Sequence, residues 1–297
     1  MTGSGHRAHH TDETSLALFD SASQAAAAQV IRHYSNSFGL GTRLLPPVTR
    51  THIASIYAMV RIADEIVDTY RGPDTAAVLD AFEVQVHQAM NGRFSADVIA
   101  HAFGVTARAT GITRELVDPF FASMRMDLTV TEHDAASFDT YVYGSAEVIG
   151  EMCLAAFLAT GDGPADVPDE LRAGARKLGS AYQKINFLRD LGADLETRGR
   201  VYFPGLDVTE MSDADVASLV IECRAELAAA RATLPGLPLA ARRAVLATVM
   251  IYEELLERIS KVPAQKLVTT RVSVPRLKKL SLAASAMRAA KQESVNA

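Results

Sequence analysis

Apolar residues recur at helical spacing along most of the chain, and clusters of Gly, Pro and small polar residues cut the pattern into segments. The first helix is predicted over 15–33 and stops at the polar run Tyr34-Ser35-Asn36-Ser37, a turn and a candidate phosphate contact. Pro46-Pro47 opens the next, because proline is tolerated in a first helical turn, and this helix runs to Arg71-Gly72-Pro73. Framework helices follow over 75–90, 95–110 and 113–128, separated by Asn91-Gly92 and Gly111. A helix over 137–158 is aromatic at one end and greasy at the other, and Gly161-Asp162-Gly163-Pro164 ends it. A long helix over 169–194 gives way to Arg198-Gly199-Arg200-Val201-Tyr202-Phe203-Pro204, a basic loop or flap. Helices over 212–234 and 239–261 precede a basic C-terminal segment carrying Arg271, Arg276, Lys278 and Lys279.

Composition narrows this to an all-α protein: Trp is absent and Ala is frequent, which favours helix over a β-sandwich. The 297 residues show no composition shift, long linker or repeat of solenoid period, so one helical domain is expected over 15–290, with tails at 1–14 and 291–297. The first tail is polar, without an apolar leader, and its His6, His9 and His10 read as part of a disordered end rather than a metal site. No run approaches eighteen uninterrupted apolar residues, so a soluble protein is expected. A net charge of -5 argues against nucleic acid as a partner. Cys153 and Cys223 stand apart in apolar stretches and read as buried, reduced thiols.

Chemistry is concentrated in two acidic stretches inside otherwise apolar helix, Asp64-Glu65-Ile66-Val67-Asp68 and Asn186 to Asp194. Residues four apart share a helix face, so Asp64 and Asp68 form one stripe and Asn186, Asp190 and Asp194 another. Like charges at that spacing destabilise a helix, and a core has no use for them, so a counter-charge is required. Oxygen ligands without nearby Cys or His suit magnesium, with manganese as a substitute; it takes one or two carboxylates and completes its shell with water and substrate phosphate. Two facing stripes would clamp a diphosphate through such ions.

Both stripes extend backwards. Tyr57 and Arg61 lie on the face of Asp64 and Asp68, and Gln183 on that of Asn186, Asp190 and Asp194, with Arg189 about 100° round from Asp190. A bland alternative is that both are solvated outer faces on which Arg61 and Arg189 pair with the acids. Two stripes of one design, each among Ile, Met, Phe and Leu, favour an inward-facing site.

With these motifs the chain resembles the head-to-head prenyl synthases, a family that includes phytoene, squalene and dehydrosqualene synthases. The resemblance extends through Tyr34 to Phe38, Ile56-Tyr57-Ala58, Tyr141-Val142-Tyr143-Gly144, Arg200 to Pro204 and Ile251-Tyr252, covering about residues 30–280. It implies a helical bundle of the isoprenoid synthase type around a central cavity. It further implies that Asp64, Asp68, Asn186, Asp190 and Asp194 handle magnesium, that Ser35, Ser37, Arg61, Gln183, Arg189 and Arg200 hold diphosphates, and that Tyr57, Tyr143 and Tyr252 border the reaction centre. Arg271 is the best further phosphate candidate among the C-terminal basic residues, the others reading as a solvated face or an anionic-lipid contact. One departure stands out: relatives usually read Ala-Gly where this chain has Ala146-Glu147. Glu147 then either points to solvent or meets a cation.

The resemblance implies that two allylic diphosphates condense through a cyclopropylcarbinyl diphosphate, with no protein nucleophile, in a dry cavity lined by aromatic rings. There is no glycine-rich dinucleotide fingerprint, so no NADPH is expected. The short chain, without a long C-terminal anchor, is most similar to the bacterial carotenoid enzymes. The expectation is therefore phytoene synthesis from two geranylgeranyl diphosphates, in the cytoplasm, with peripheral contact at the inner face of the membrane. The alternatives are a squalene or dehydrosqualene synthase using farnesyl diphosphate and, from another class, a non-catalytic helical assembly protein.

Overall fold

A computed structural model describes residues 15–35, 38–70, 72–159, 163–198, 200–208 and 210–293. The expected tail at 1–14 and the candidate phosphate ligand Ser37 lie outside the described residues. Thirteen helices are described: α1 Leu16–Tyr34, α2 Phe38–Thr42, α3 Pro47–Glu65, α4 Thr75–Met90, α5 Val98–Thr110, α6 Arg114–Thr129, α7 Ala135–Val142, α8 Val148–Leu158, α9 Asp169–Arg198, α10 Asp213–Thr233, α11 Leu239–Ile259, α12 Ala264–Leu267 and α13 Arg276–Glu293. Among the described residues the only β-type pairing is one parallel bridge, Glu132 to Val201.

Local chemistry sets the ends. Ser15 caps α1 by accepting from the Leu18 N–H, Asp97 caps α5 by accepting from Ile99 and Ala100, and Ser212 with Asp215 forms a reciprocal capping box on α10. The expected helix from residue 95 therefore starts at Val98, because Asp97 rather than Ser95 supplies the cap. Gly111, at φ 75°, closes α5 in the left-handed conformation open to glycine. The basic C-terminal segment is largely helix: α13 reaches Glu293 and so crosses the expected boundary at 291.

Two expected helices change register. The helix of the first acidic motif is α-helical only to Glu65 and continues as a π-helical turn over Ile66–Tyr70, and a second π turn, Tyr143–Glu147, joins α7 to α8. Bonding i→i+5 re-aims the side chains that follow. Val67 is buried while Asp64 and Asp68 take different partners, described below.

The core falls into two clusters. One is formed chiefly by α3, α4, α5, α6, α8 and the first half of α11; the other by α7, α9, α10, the end of α11 and the segments around residues 203 and 272. Small residues bring α8 and the π turn before it hard against α9: a Cβ on Gly179 would lie 2.4 Å from the Ala146 carbonyl oxygen, and one on Gly150 2.4 Å from that of Ala175. Helix propensity favours alanine over glycine by about 1 kcal/mol, yet at this contact overpacking costs about 1–3 kcal/mol and wins. Gly179→Ala is expected to lower the midpoint of urea unfolding, with little change in slope. The run 135–158 is also the one described helical stretch long and apolar enough to cross a membrane, and its most apolar window is 67% buried inside the fold, as a core helix is.

Candidate active site

Between the two clusters lies a cavity of about 650 Å³. Its deep wall is apolar, built by Ile149, Leu154, Phe157, Leu171, Leu234 and Leu237, with Cys153, whose thiol burial pushes up to about 12, among them. Its other end is polar and cationic: Ser35, Tyr57 and Arg61 from the α1–α3 side meet Gln183, Asn186 and Arg189 of α9, with Arg271 and Lys279 closing the rim. A tail with an anionic head fits such a division.

The acids stand behind this rim, and guanidiniums hold Asp64, Glu65, Asp68 and Asp190. Arg61 Nη1 donates to Asp64 at 2.8 Å and Nη2 pairs with Glu65, while the guanidinium lies 4.5 Å over the Tyr34 ring. Asp68, aimed elsewhere by the π turn, accepts from Arg200 Nη1 at 2.9 Å. Asp190 accepts from Arg189 and, at 2.7 Å, from Arg271. Burial pushes the Asp190 carboxyl up, but these two arginines outweigh it and hold it below the usual carboxylate range. Asp194 is 6% exposed, and its carbonyl accepts from the Arg200 N–H at 3.3 Å, where the flap leaves α9. Both sequence readings of the arginines are thus met in part: they pair locally with the acids, and they do so facing inward.

The carboxylates of the two motifs and the Asn186 amide are oxygen donors of the kind a hard divalent ion takes. Among the described residues the carboxylates of the two motifs do not converge into a three-ligand cage; the only His/Asp/Glu triad that close is Glu83, His87 and Asp118, and arginines pair with both of its acids. Spread acids match ions that share their shell with substrate phosphate. Asp64, Asp68, Asn186, Asp190 and Asp194 would hold magnesium there.

The tyrosines divide. Tyr57 lines the cavity, hydrogen-bonded with Ser35, and burial raises its pKa. Tyr252 lines it as well, donating to Asn186 Oδ1 at 3.3 Å. Tyr143, expected at the reaction centre, is not part of the cavity lining. The π turn aims its ring at α9, where the Arg176 guanidinium covers it at 5.4 Å, and Ser145 and Ala146 face the cavity instead. Ser145 lies 3.5 Å from the Gln183 amide.

Three residues at or beside this site escaped the sequence reading. Tyr182 stacks on Tyr252 with ring centroids 3.8 Å apart and donates to Thr248 at 2.9 Å; lying four residues before Asn186, it was within reach of the helical-face argument. Lys279 returns to the rim from α13, which no spacing announces. Asp127 of α6 joins the first motif through Arg200, at 3.2 Å, and accepts from the Tyr141 hydroxyl at 3.1 Å. Truncating the stacked ring, Tyr182→Ala, is expected to cost about 3–5 kcal/mol in denaturant unfolding, whereas Tyr182→Phe costs about 1 kcal/mol for one hydrogen bond.

Glu147 is half-buried: burial raises its pKa, and the charges of Lys177, Arg176 and Lys184 oppose that rise while Glu226 adds to it. The close approach that glycine would provide at 147 comes from the opposite helix, through Gly179.

Comparison with known proteins agrees with this geometry. The chain is 30% identical to phytoene synthase 3, chloroplastic, of Zea mays over 273 residues, 85% of this chain and 62% of that protein. It is 34% identical to the 15-cis-phytoene synthase of Synechocystis sp. over 186 residues, 59% of this chain and 54% of that one. It thus spans less than two thirds of the length of these relatives. Among solved structures a dehydrosqualene synthase in complex with ligand superposes with a TM-score of 0.77 at 21% identity, covering 92% of this chain and 98% of its own. A squalene synthase from Alicyclobacillus acidocaldarius gives 0.72 at 21%, covering 82% and 94%. These two establish the isoprenoid synthase type of helical fold. The squalene/phytoene synthase family model matches residues 31–278, and the chain is a member of that family.

Proposed function

We propose that this protein is a phytoene synthase, condensing two geranylgeranyl diphosphates head to head, through a cyclopropylcarbinyl (prephytoene) diphosphate, to 15-cis-phytoene for carotenoid biosynthesis. The observation that carries the reading is the division of one cavity, apolar in depth and rimmed by arginines to which the carboxylates of the two motif helices are paired from behind. Magnesium, when bound, would neutralise the diphosphate as it leaves. Arg61, Arg189, Arg271 and Lys279 would hold the two heads, with Asp64 and Asp190 orienting the guanidiniums they pair with. Tyr57, Tyr182 and Tyr252 offer ring faces and few free hydroxyls to an allylic cation, which favours its capture by the second alkene over capture by water. The last cation loses a proton, with released diphosphate as the base closest to hand, so no nicotinamide is required. A cytoplasmic protein in peripheral contact with a membrane suits substrates and a product that are largely hydrocarbon.

The test is incubation with magnesium and either geranylgeranyl or farnesyl diphosphate, with and without NADPH, reading the hydrocarbon by mass. Phytoene without reductant is the expected product. A thirty-carbon product would move the assignment to squalene or dehydrosqualene synthesis, according to the need for reductant. No product from either substrate would overturn the enzymatic reading.

A further inference from the structure

Helix α13 packs on α11 through Ala283 and Ala286, both buried, and turns another face outward. On that face Leu277 is 81% exposed, Leu280 45% and Met287 42%, at spacings of i, i+3 and i+10 with the half-buried Ala284 at i+7. That is an apolar helical stripe with no partner among the described residues. Exposed Arg276, Lys278 and Arg288 flank it. Lys279, on the inner side, lines the cavity rim with Arg271.

The charge around the stripe is one-sided. Between Glu257 and Glu293 the chain carries nine Lys and Arg residues and no Asp or Glu, in a protein whose net charge is -5. Of the flanking cations Lys278 has an acidic partner, Glu254 at 3.4 Å, which Arg258 shares. A second copy docking on this stripe would set two basic runs against each other, whereas an anionic surface is complementary to it.

We propose that the outer face of α13 docks on an anionic lipid bilayer, leucines in the headgroup boundary and basic residues on the lipid charge, with the cavity rim turned toward the membrane. A basic helix with a narrow apolar stripe binds in this way, by burial of that stripe and by attraction that acts within a Debye length. The placement deepens the functional reading above, on which the passage of prenyl tails between bilayer and cavity rests. The docking itself is read from the surface alone.

Flotation of the full chain with vesicles tests it. The protein is expected to float with vesicles containing roughly a third phosphatidylglycerol, to stay down with phosphatidylcholine alone, and to be stripped by about 0.5 M KCl. Leu277→Ser/Leu280→Ser and Arg276→Glu/Lys278→Glu are each expected to weaken binding at least about tenfold. Both should retain the wild-type thermal midpoint, while Val84→Ser, at a half-exposed site on α4, floats like wild type. Equal flotation on neutral and anionic vesicles, no flotation, or α13 variants that float unchanged would overturn the proposal. So would a wild-type dimer in sedimentation that Leu277→Ser/Leu280→Ser converts to monomer. None of these readouts uses catalysis, so a failed synthase assay and a failed docking surface are told apart.

Discussion

Asp64→Asn is expected to reduce hydrocarbon formation about a thousandfold and to move the thermal midpoint by no more than a few degrees. The side chain is 34% exposed and rests on Arg61 Nη1, so the fold loses a partly solvated ion pair of small net value. Arg61 also keeps Glu65 as a partner. Catalysis loses more, because the charge that would bind an ion against the leaving diphosphate is gone, and several kcal/mol of transition-state stabilisation correspond to three or four powers of ten. The expected signature is a fall in kcat together with a raised magnesium requirement. An unchanged rate at saturating magnesium would instead show that Asp64 does not hold the ion on which the reaction depends.

The stripe argument that led to Asp64 shows what the sequence could and could not disclose. Helical periodicity located the two motif helices because their apolar faces, with Ile53, Ile56 and Met59 on one and Ile185 and Leu188 on the other, are buried as the pattern requires. It placed Asp64 and Asp68 on a common face because it assumed unbroken α-helix. The π turn at Ile66–Tyr70 overrides that assumption, and it is a tertiary choice: Val67 is buried and Asp68 meets a flap residue 132 positions away in sequence. A second π turn, Tyr143–Glu147, likewise has no signal in the spacing, and Tyr143, which the family resemblance set at the reaction centre, lies outside the cavity lining.

Residues that reach the site from a distance were legible only in part. Arg271 and Lys279 sit in a basic segment whose composition suits solvent or lipid equally well, and only the return of α13 along α11 brings Lys279 to the rim. Asp127 is one of three acids in amphipathic α6, with Glu115 and Asp118, and reads as a surface residue. Its burial follows from the flap, where the Val201 N–H donates to the Thr131 carbonyl at 2.9 Å and Arg200 Nη2 to that of Asp127 at 2.8 Å.

Asp127→Asn is accordingly expected to stabilise the protein at pH 8 by roughly 4 kcal/mol and at pH 5 by less than half of that, about 1–2 kcal/mol. The Asp127 side chain is 5% exposed, and burial, with repulsion from Asp68 and Asp64, outweighs Arg200 and raises its pKa from 3.8 to about 7. Arg200, between Asp127 and Asp68, stays charged, since their attraction exceeds its own cost of burial. Asp127 is therefore the member of the cluster that carries the proton. Below pH 3.8 folded and unfolded chains both hold it; between 3.8 and about 7 only the folded chain does; above 7 neither does. The stability this provides is complete in acid and is lost as pH rises toward and through 7. Asparagine stays neutral throughout and still offers an oxygen to Arg200, so the variant should lack that component of the pH dependence. Urea unfolding at pH 5, 6, 7 and 8, with chelator present so that no ion engages Asp68, measures the difference directly. Parallel stability profiles for wild type and Asp127→Asn across that range would show that Asp127 is ionised throughout and that Arg200 outweighs its burial.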